Sequence, residues 1–516
     1  MKIDLNPLFK KAISLLEETN KNIFITGRAG TGKSTLLSYF REQTKKRIVV
    51  LAPTGVAALN VRGQTMHSFF KFKPNITLQA VKAVYKKDDP KNIYKKIDMI
   101  VIDEVSMVRS DLLDCVEKSL RINRGNSSPF GGVQMVFIGD LYQLPPVVTG
   151  GEKEIFKTYY DSQYFFDAKA LESLPLEFIE LEKIYRQKDD AFIQLLNAVR
   201  NNSATEEHLS AINTRYDPDY LPNPKKFSIH LTTTNALANQ INDEHLARLR
   251  EDEYISEGRV SGAFDNHALP TDVSLSVKIG SQIMMLNNDS AGRWVNGSIG
   301  KIVDIVTSDD EEDVLVVELS DGEVVEVTPY TWELFEFAYD TKRNRLESAT
   351  VGTFTQYPLR LAWAVTIHKS QGKTFEEVIV DIGRGTFVHG QLYVALSRCT
   401  TLAGIVLKQK VAKKHIFMDW RVVKFVTRFQ YAKSDEALPL AEKVRILTDA
   451  AEEQSALEII YLKANDEKSK RMIIPYQVGQ MEFKGKNFLG VSAFDKKSNE
   501  DRVFRVDRIL SMTNVS

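Results

Sequence analysis

The stretch Ile23 to Thr35, IFITGRAGTGKST, holds the residues of this chain best suited to phosphate chemistry. Gly27-Arg28-Ala29-Gly30-Thr31-Gly32-Lys33-Ser34 spells G-x-x-x-x-G-K-S. It lies between a β-branched, apolar run (Ile23, Phe24, Ile25, Thr26) and a helix-forming run that starts Thr35-Leu36-Leu37. Glycines let successive backbone N–H groups turn inward around phosphate oxygens. A helix that begins there adds its partial positive charge. Lys33 has the reach for β- and γ-phosphates, and the Ser34 hydroxyl suits Mg²⁺. A nucleotide held this way would touch Gly27, Ala29, Gly30, Thr31, Gly32, Lys33, Ser34 and Thr35. A glycine-rich turn matching by chance would need neither the strand nor the helix.

Two more apolar runs end in polar residues that complete such a site. IDMIVIDEVSM reads as a strand ending in Asp103-Glu104. Behind a phosphate loop, Asp103 would hold Mg²⁺ and Glu104 would polarise the attacking water. VQMVFI reads as a strand leading into Gly139-Asp140-Leu141-Tyr142-Gln143-Leu144-Pro145-Pro146. Gln143 is a neutral amide able to touch both the γ-phosphate and the water. RIVVLA ends at Pro53-Thr54-Gly55, which places Thr54 and Gly55 at the ligand-binding carboxyl edge of a sheet. GQTMHSFFKFKPN mixes Thr65, His67, Phe69, Phe70 and Phe72 with Lys71 and Lys73. That mixture suits stacking and phosphate contact on a single strand, or equally an aromatic core with solvated lysines.

The elements that must position these groups are ordinary ones. Residues 7–19 have helical apolar spacing, with Asn6 as cap and Pro7 in the first turn. Lysine-rich residues 80–98 read as a small helical insertion. The chain has 516 residues and is 43% hydrophobic, enough for about two to four domains. Lys+Arg and Asp+Glu both number 68, so a polyanion would bind through local patches. Two distant cysteines, Cys115 and Cys399, argue against a zinc site or disulfides. With neither a signal-peptide pattern nor a long apolar run, a cytoplasmic protein without membrane contact is expected.

G-x-x-x-x-G-K-S, A-P-T-G-x-A-A, I-D-E-V-S-M and G-D-x-x-Q-L-P-P, in that order, resemble the first motor domain of a superfamily 1 DNA helicase. The resemblance is to the petite-integration-frequency (PIF) helicases and their RecD-like relatives, whose signature helix SDLLDCVEKSLRINRGN resembles. It extends to Leu181-Glu182-Lys183-Ile184-Tyr185-Arg186-Gln187, to RLAWAVTIHKSQGKTFEEVIVD and to QLYVALSRC.

The fold so implied is α/β with two RecA-like domains. The first covers 1–184, with an insertion at about 64–97. The second is formed by 185–262 and 355–432, with an SH3-like β insertion over 263–354 whose turns are N-G, D-D and D-G. A linker at 433–450 leads to residues 451–516, which resemble a WYL domain. The resemblance implies ATP and Mg²⁺ as cofactors. It makes Arg186 and Arg398 arginine fingers and puts Gly372 at the nucleotide. It makes Thr54, Gly55, Thr65, His67, Thr234, Asn235, His368, Lys369 and Ser370 contacts to single-stranded DNA, with Gln371 between DNA and nucleotide. Trp294, Asn296 and Gly297 would face the strand, or Trp294 would be core. Single strands and duplex junctions are the implied partners, and a monomer moving 5′ to 3′ in repair, recombination or replication is the implied function. The adenine-reading glutamine common in the family is missing from NPLFKKAISLLEE, which leaves adenine to backbone or Asn6. Arg471, Arg502, Arg505 and Arg508 would bind a nucleotide or nucleic acid, or staple a small β domain. A DNA-stimulated ATPase that remodels complexes, and a regulator built around its C-terminal ligand, are the competing readings.

Overall fold

The computed structural model describes residues 5–514 other than 74–75, 87, 149–151, 153–155, 157, 188, 224–226, 265–268, 308–311, 341–344, 384, 387 and 484, and describes only the backbone of 335–340 and 345–348. Pro74 and Asn75 of the aromatic-lysine stretch and the D-D turn at 309–310 lie outside the described residues. The chain forms two compact units, one of residues 1–196 with 206–417 and one of 197–205 with 418–516.

The first unit holds two parallel sheets. One has six strands in the order Gln64–Thr65, Ile48–Ala52, Met99–Ile102, Gln134–Ile138, Asn22–Gly27, Leu176–Leu181. Its inner strands Ile48–Ala52, Met99–Ile102 and Gln134–Ile138 are apolar apart from Gln134 and buried on both faces, as helix-covered parallel strands must be. The helix Pro7–Glu18 packs on it through Phe9, Ala12 and Leu16, and Asn6 accepts from Phe9 N as its cap. The second sheet runs Ala364–Thr366, Ile229–Thr232, Val378–Asp381, Ile405–Leu407.

Between the second sheet's segments lies an all-β region. Its largest sheet is antiparallel, in the order Val324–Val327, Val314–Leu319, Ile299–Val306, Gln282–Met285, Leu359–Leu361. Tyr254–Glu257 pairs with Ser274–Val277, and Arg259–Gly262 joins Arg345–Gln356 and Tyr330–Asp340. The β region is therefore wider than 263–354: strands on both sides of that span complete its pairing. Trp294 belongs to its core with Ile283, Ile302 and Leu315, and donates Nε1–H to Asn287 at 2.9 Å. The expectation that Trp294 faces a ligand is replaced by packing.

Residues 78–98 differ from their sequence reading. The described residues there form only short 3₁₀ turns, Leu78–Ala80 and Ile93–Lys95. Phe69, Phe70 and Tyr94 make a buried cluster, with Phe70 and Tyr94 stacked at 5.6 Å. Aromatic burial thus accounts for the interleaved pattern at Phe69 and Phe70.

The second unit is built on an antiparallel sheet in the order Glu500–Arg505, Lys486–Asp495, Lys468–Phe483, Leu457–Leu462, Ile509–Asn514. The helix Leu440–Glu452 lays Leu447 and Ala450 on its core, so 433–450 is mostly structured rather than a linker. The helix Trp420–Ala437, placed by sequence largely with the second α/β region, groups with this unit. Its Ser434 hydroxyl lies 2.9 Å from the Leu510 carbonyl.

Candidate nucleotide and DNA site

Strand Asn22–Gly27 delivers the phosphate loop, and helix Lys33–Gln43 leaves it. Gly30 and Gly32 have φ of +80° and +85°, conformations costly for other residues. A Cβ on Gly30 would meet the Cβ of Arg186 at 2.5 Å, so the loop and Arg186 pack backbone to side chain. Ala29 and Thr31 are buried beneath the loop, while Ser34 and Thr35 are exposed. Lys33 Nζ lies in the loop, donating to the carbonyls of Gly27 at 2.6 Å and Arg28 at 3.1 Å.

The second sheet's segments close on this loop. Tyr393, on the short helix Gln391–Leu396, accepts the Ala29 N–H with its hydroxyl at 3.0 Å. Arg186 donates to the carbonyls of Gly372 at 3.2 Å and Ser397 at 3.3 Å. Arg398 is fully buried, its Nε 2.8 Å from the Val394 carbonyl and Nη1 3.2 Å from the Lys373 carbonyl. Burial, and then the charge of Arg186, push its guanidinium down to about 9, still cationic at neutral pH.

Asp103 and Glu104 sit at the carboxyl end of Met99–Ile102. Glu104 has φ +49°, an uncommon left-handed conformation for a non-glycine residue. Burial raises both carboxyls' affinity for protons, and for Asp103 the neighbouring charge of Glu104 adds to it. Lys33 opposes this for both, and Arg398 also opposes it for Glu104. Asp103 is buried and Glu104 half-buried at this strand end, a pair of adjacent carboxylates of the oxygen-donor type that hard divalent cations take. Gln371 donates Nε2–H to Glu104 at 3.1 Å and to Gln143 Oε1 at 2.9 Å. Gln143 in turn reaches Asp140 at 3.3 Å. Thus Gln371 ties Glu104 to Gln143 by hydrogen bonds, while Lys33 and Arg398 act on Glu104 through their charge and Arg186 acts on Arg398 in the same way.

Asn6 donates to the Tyr185 hydroxyl at 3.1 Å, and the rings of Phe9 and Tyr185 flank Gly32. Phe9 is core and Tyr185 is exposed beside the loop. Phe9, Tyr185 and Tyr393 were not singled out from sequence. Tyr393 and Tyr185 lie within quoted motifs, but only the folded chain shows that they face the loop.

The residues expected from sequence to contact DNA fall into three groups. Thr54, Thr65 and Thr234 each cap a helix, accepting from Ala57, Ser68 and Leu237 N–H groups. Their side chains fix the starts of the three helices that carry Gly55, His67 and Asn235. Thr366 pairs with Thr232, which brings the His368-Lys369 loop beside Thr234. Burial depresses proton affinity at His67, His368 and Lys369. Ser370 is the exception. It is fully buried, its hydroxyl donates to the Ile367 carbonyl at 2.8 Å, and its side chain is not placed to meet a strand.

In the second unit, Arg471 pairs with buried Asp495 at 2.6 Å, Arg502 with Glu500, and Arg505 with Asp507 at 2.6 Å. Phe504 is core. None of the described helices is long and apolar enough to cross a membrane.

Comparisons with known proteins agree in all three regions. Residues 4–209 match a model described as PIF1-like helicase, 361–406 one described as UvrD-like helicase C-terminal domain, and 442–514 one described as WYL domain. The ATP-dependent DNA helicase Pif1 of Bdellovibrio bacteriovorus is 31% identical over 83% of this chain and 93% of its own. A crystal structure of Bacteroides Pif1 in complex with ADP-AlF4 shares 35% identity and a TM-score of 0.75, covering 83% of this chain and 97% of that one. A Bacteroides Pif1 structure bound to single-stranded DNA shares 36% identity and a TM-score of 0.60, covering 82% and 96%.

Proposed function

From the premise that this chain belongs to the PIF1-like helicase family and is an ATP-dependent DNA helicase, we propose how its own residues convert hydrolysis into movement on single-stranded DNA. The observation that carries the reading is the convergence of Arg186, Gln371 and Arg398 on the phosphate loop and Glu104. The two parallel sheets then act as RecA-like lobes, and the intervening β region as an SH3-like insertion.

Lys33 transfers its hydrogen bonds from the loop carbonyls to the β- and γ-phosphates. Ser34 and Asp103 are the residues that would hold Mg²⁺, and the ion would supply charge neutralisation at the phosphate oxygens. Glu104 and Gln143 orient water for in-line attack, with Gln371 tying the two residues together. Arg186 and Arg398 meet the charge that spreads over the transferred phosphoryl group, a contribution of about 10³–10⁵ in rate for such arginines. Loss of phosphate removes the contacts that hold the lobes closed. The loops of Thr54, Thr65 and His67 on one lobe, and of Thr234, Asn235, His368 and Lys369 on the other, grip the strand alternately. Opening one base-pair step costs about 1.4 kcal/mol of stacking. We assign 5′-to-3′ travel by a cytoplasmic monomer, with duplex junctions as substrates in repair, recombination or replication. The C-terminal unit is assigned a nucleotide or nucleic-acid ligand.

Strand displacement on 5′-tailed and 3′-tailed duplexes tests this. The 5′-tailed duplex should open with ATP and Mg²⁺, and Lys33→Ala should lose more than about 100-fold in rate. Better opening of the 3′-tailed duplex would reverse the polarity. DNA-stimulated hydrolysis without displacement would favour remodelling of protein–DNA complexes.

A further inference from the structure

The loop Ser370–Lys373 has neighbours on both sides. Its carbonyls at Ser370 and Lys373 hold the Arg398 guanidinium, at 3.4 and 3.2 Å. In the other direction, Lys373 Nζ donates to Asn296 Oδ1 in the β region. Asn296 then donates its Nδ2–H to Asn60 Oδ1 at 2.8 Å. Asn60 is the last residue of the helix Gly55–Asn60, which Thr54 caps at its start. An unbroken polar chain therefore runs from a DNA-side helix, through the insertion, to the arginine that serves the nucleotide.

The chain is built rather than incidental. The turn that carries Asn296 is pinned at both of its residues. Asn296 N–H donates to Asn288 Oδ1 at 2.8 Å, and Gly297 N–H donates to the Met285 carbonyl at 2.8 Å. Gly297 has φ +103°, a left-handed conformation that favours glycine, and the Lys373 stem passes beside it, 3.4 Å from where a Cβ would sit. The turn thus holds its shape through the glycine backbone, and the stem packs along it. The ammonium is enclosed, and burial together with the charge of Arg360 pushes it down to about 8. An enclosed lysine whose hydrogen bond goes to a neutral amide gains little from charge pairing, so geometry is what the contact provides.

We propose that Lys373 is a positioning residue: through Asn296 and Asn60 it links strand engagement at the first lobe and β region to the placement of Arg398. This rests on the reading of Arg398 as the finger. When the Gly55–Asn60 helix settles on a strand, Asn60 and Asn296 set the position of Lys373. The Ser370–Lys373 loop follows, and with it the two carbonyls that hold the guanidinium. Without the chain, the finger would sample its positions irrespective of DNA.

The test measures ATP hydrolysis by the full-length protein, with and without oligo-dT, together with affinity for a fluorescent ADP analogue. Asn60→Ala should leave basal hydrolysis and nucleotide affinity within twofold and lower the DNA stimulation at least threefold. Lys373→Met should lower stimulation about tenfold, and Lys373→Arg, which can still donate to Asn296, should recover most of it. Lys373→Met/Asn60→Ala should be no worse than Lys373→Met alone, because both break one chain. Normal stimulation in Asn60→Ala, or multiplying losses in the double variant, would overturn the proposal. Arg398→Ala separates the two readings. If it loses turnover while Asn60→Ala stays fully stimulated, only the link is wrong. If Arg398→Ala turns over normally, the finger assignment itself has failed and the link falls with it.

Discussion

Gly30 shows how closely the nucleotide centre is fitted. Its φ of +80° lies in the left-handed region, and its missing side chain is what lets Arg186 approach. Alanine there would cost roughly 1–2 kcal/mol in backbone conformation alone. It would also push Arg186 Cβ away from 2.5 Å. Gly30→Ala should therefore slow phosphate release into solution by roughly tenfold or more. Unchanged turnover would mean that Arg186 does not need its present seat. At this scale much was legible. The residues of the phosphate loop, Asp103, Glu104 and Gln143 fall in short motifs whose spacing is itself the signal. Tyr393 was not, because its contact with Ala29 joins residues 364 apart and depends on how two sheets meet. The burial of Ser370 was not legible for the related reason that a motif does not say which of its side chains points inward.

Elements were read well where burial is two-sided and poorly where it is local. The strands Ile48–Ala52 and Met99–Ile102 are uninterrupted apolar runs, Gln134–Ile138 is one after its first residue, and all three fold as such. The segment after Phe70 carries many lysines but too little apolar periodicity to sustain a long helix, and forms short turns around Tyr94. The strand Ile229–Thr232 gives a pH prediction. Burial, reinforced by His245 and Lys408, pushes His230 down to about 4 from an ordinary 6.5. The folded state therefore binds fewer protons than the unfolded chain between those values. Stability from this residue is fully present above pH 6.5 and is lost as pH falls towards 4. The shift corresponds to about 3 kcal/mol. Urea denaturation at pH 7 and pH 4.5 should show a steeper loss for the natural chain than for His230→Gln. Equal slopes would place His230 in contact with solvent.

Over the whole molecule, the order of domains was visible from motif order, while their edges were not. Strands from both sides of the predicted insertion join it, and the helix Trp420–Ala437 sides with the C-terminal sheet, because pairing and packing partners are chosen in space. One such pairing governs how the chain comes off the ribosome. Every strand of the six-stranded sheet lies between Asn22 and Leu181, so that sheet can close early in synthesis. In the four-stranded sheet, Ile229–Thr232 is flanked by Ala364–Thr366 and Val378–Asp381, and the nearer of these follows some 130 residues later. At about 5–20 residues per second the strand waits on the order of 10 s with both edges bare. Nascent chains halted with residues up to Arg200 emerged should already resist protease across the first sheet. Chains halted before Ala364 should still be cut around Ile229–Thr232, and early protection there would show a different partner. The β region is thus also a timer: its length sets how long the four-stranded sheet's Ile229–Thr232 strand stands without a partner during synthesis.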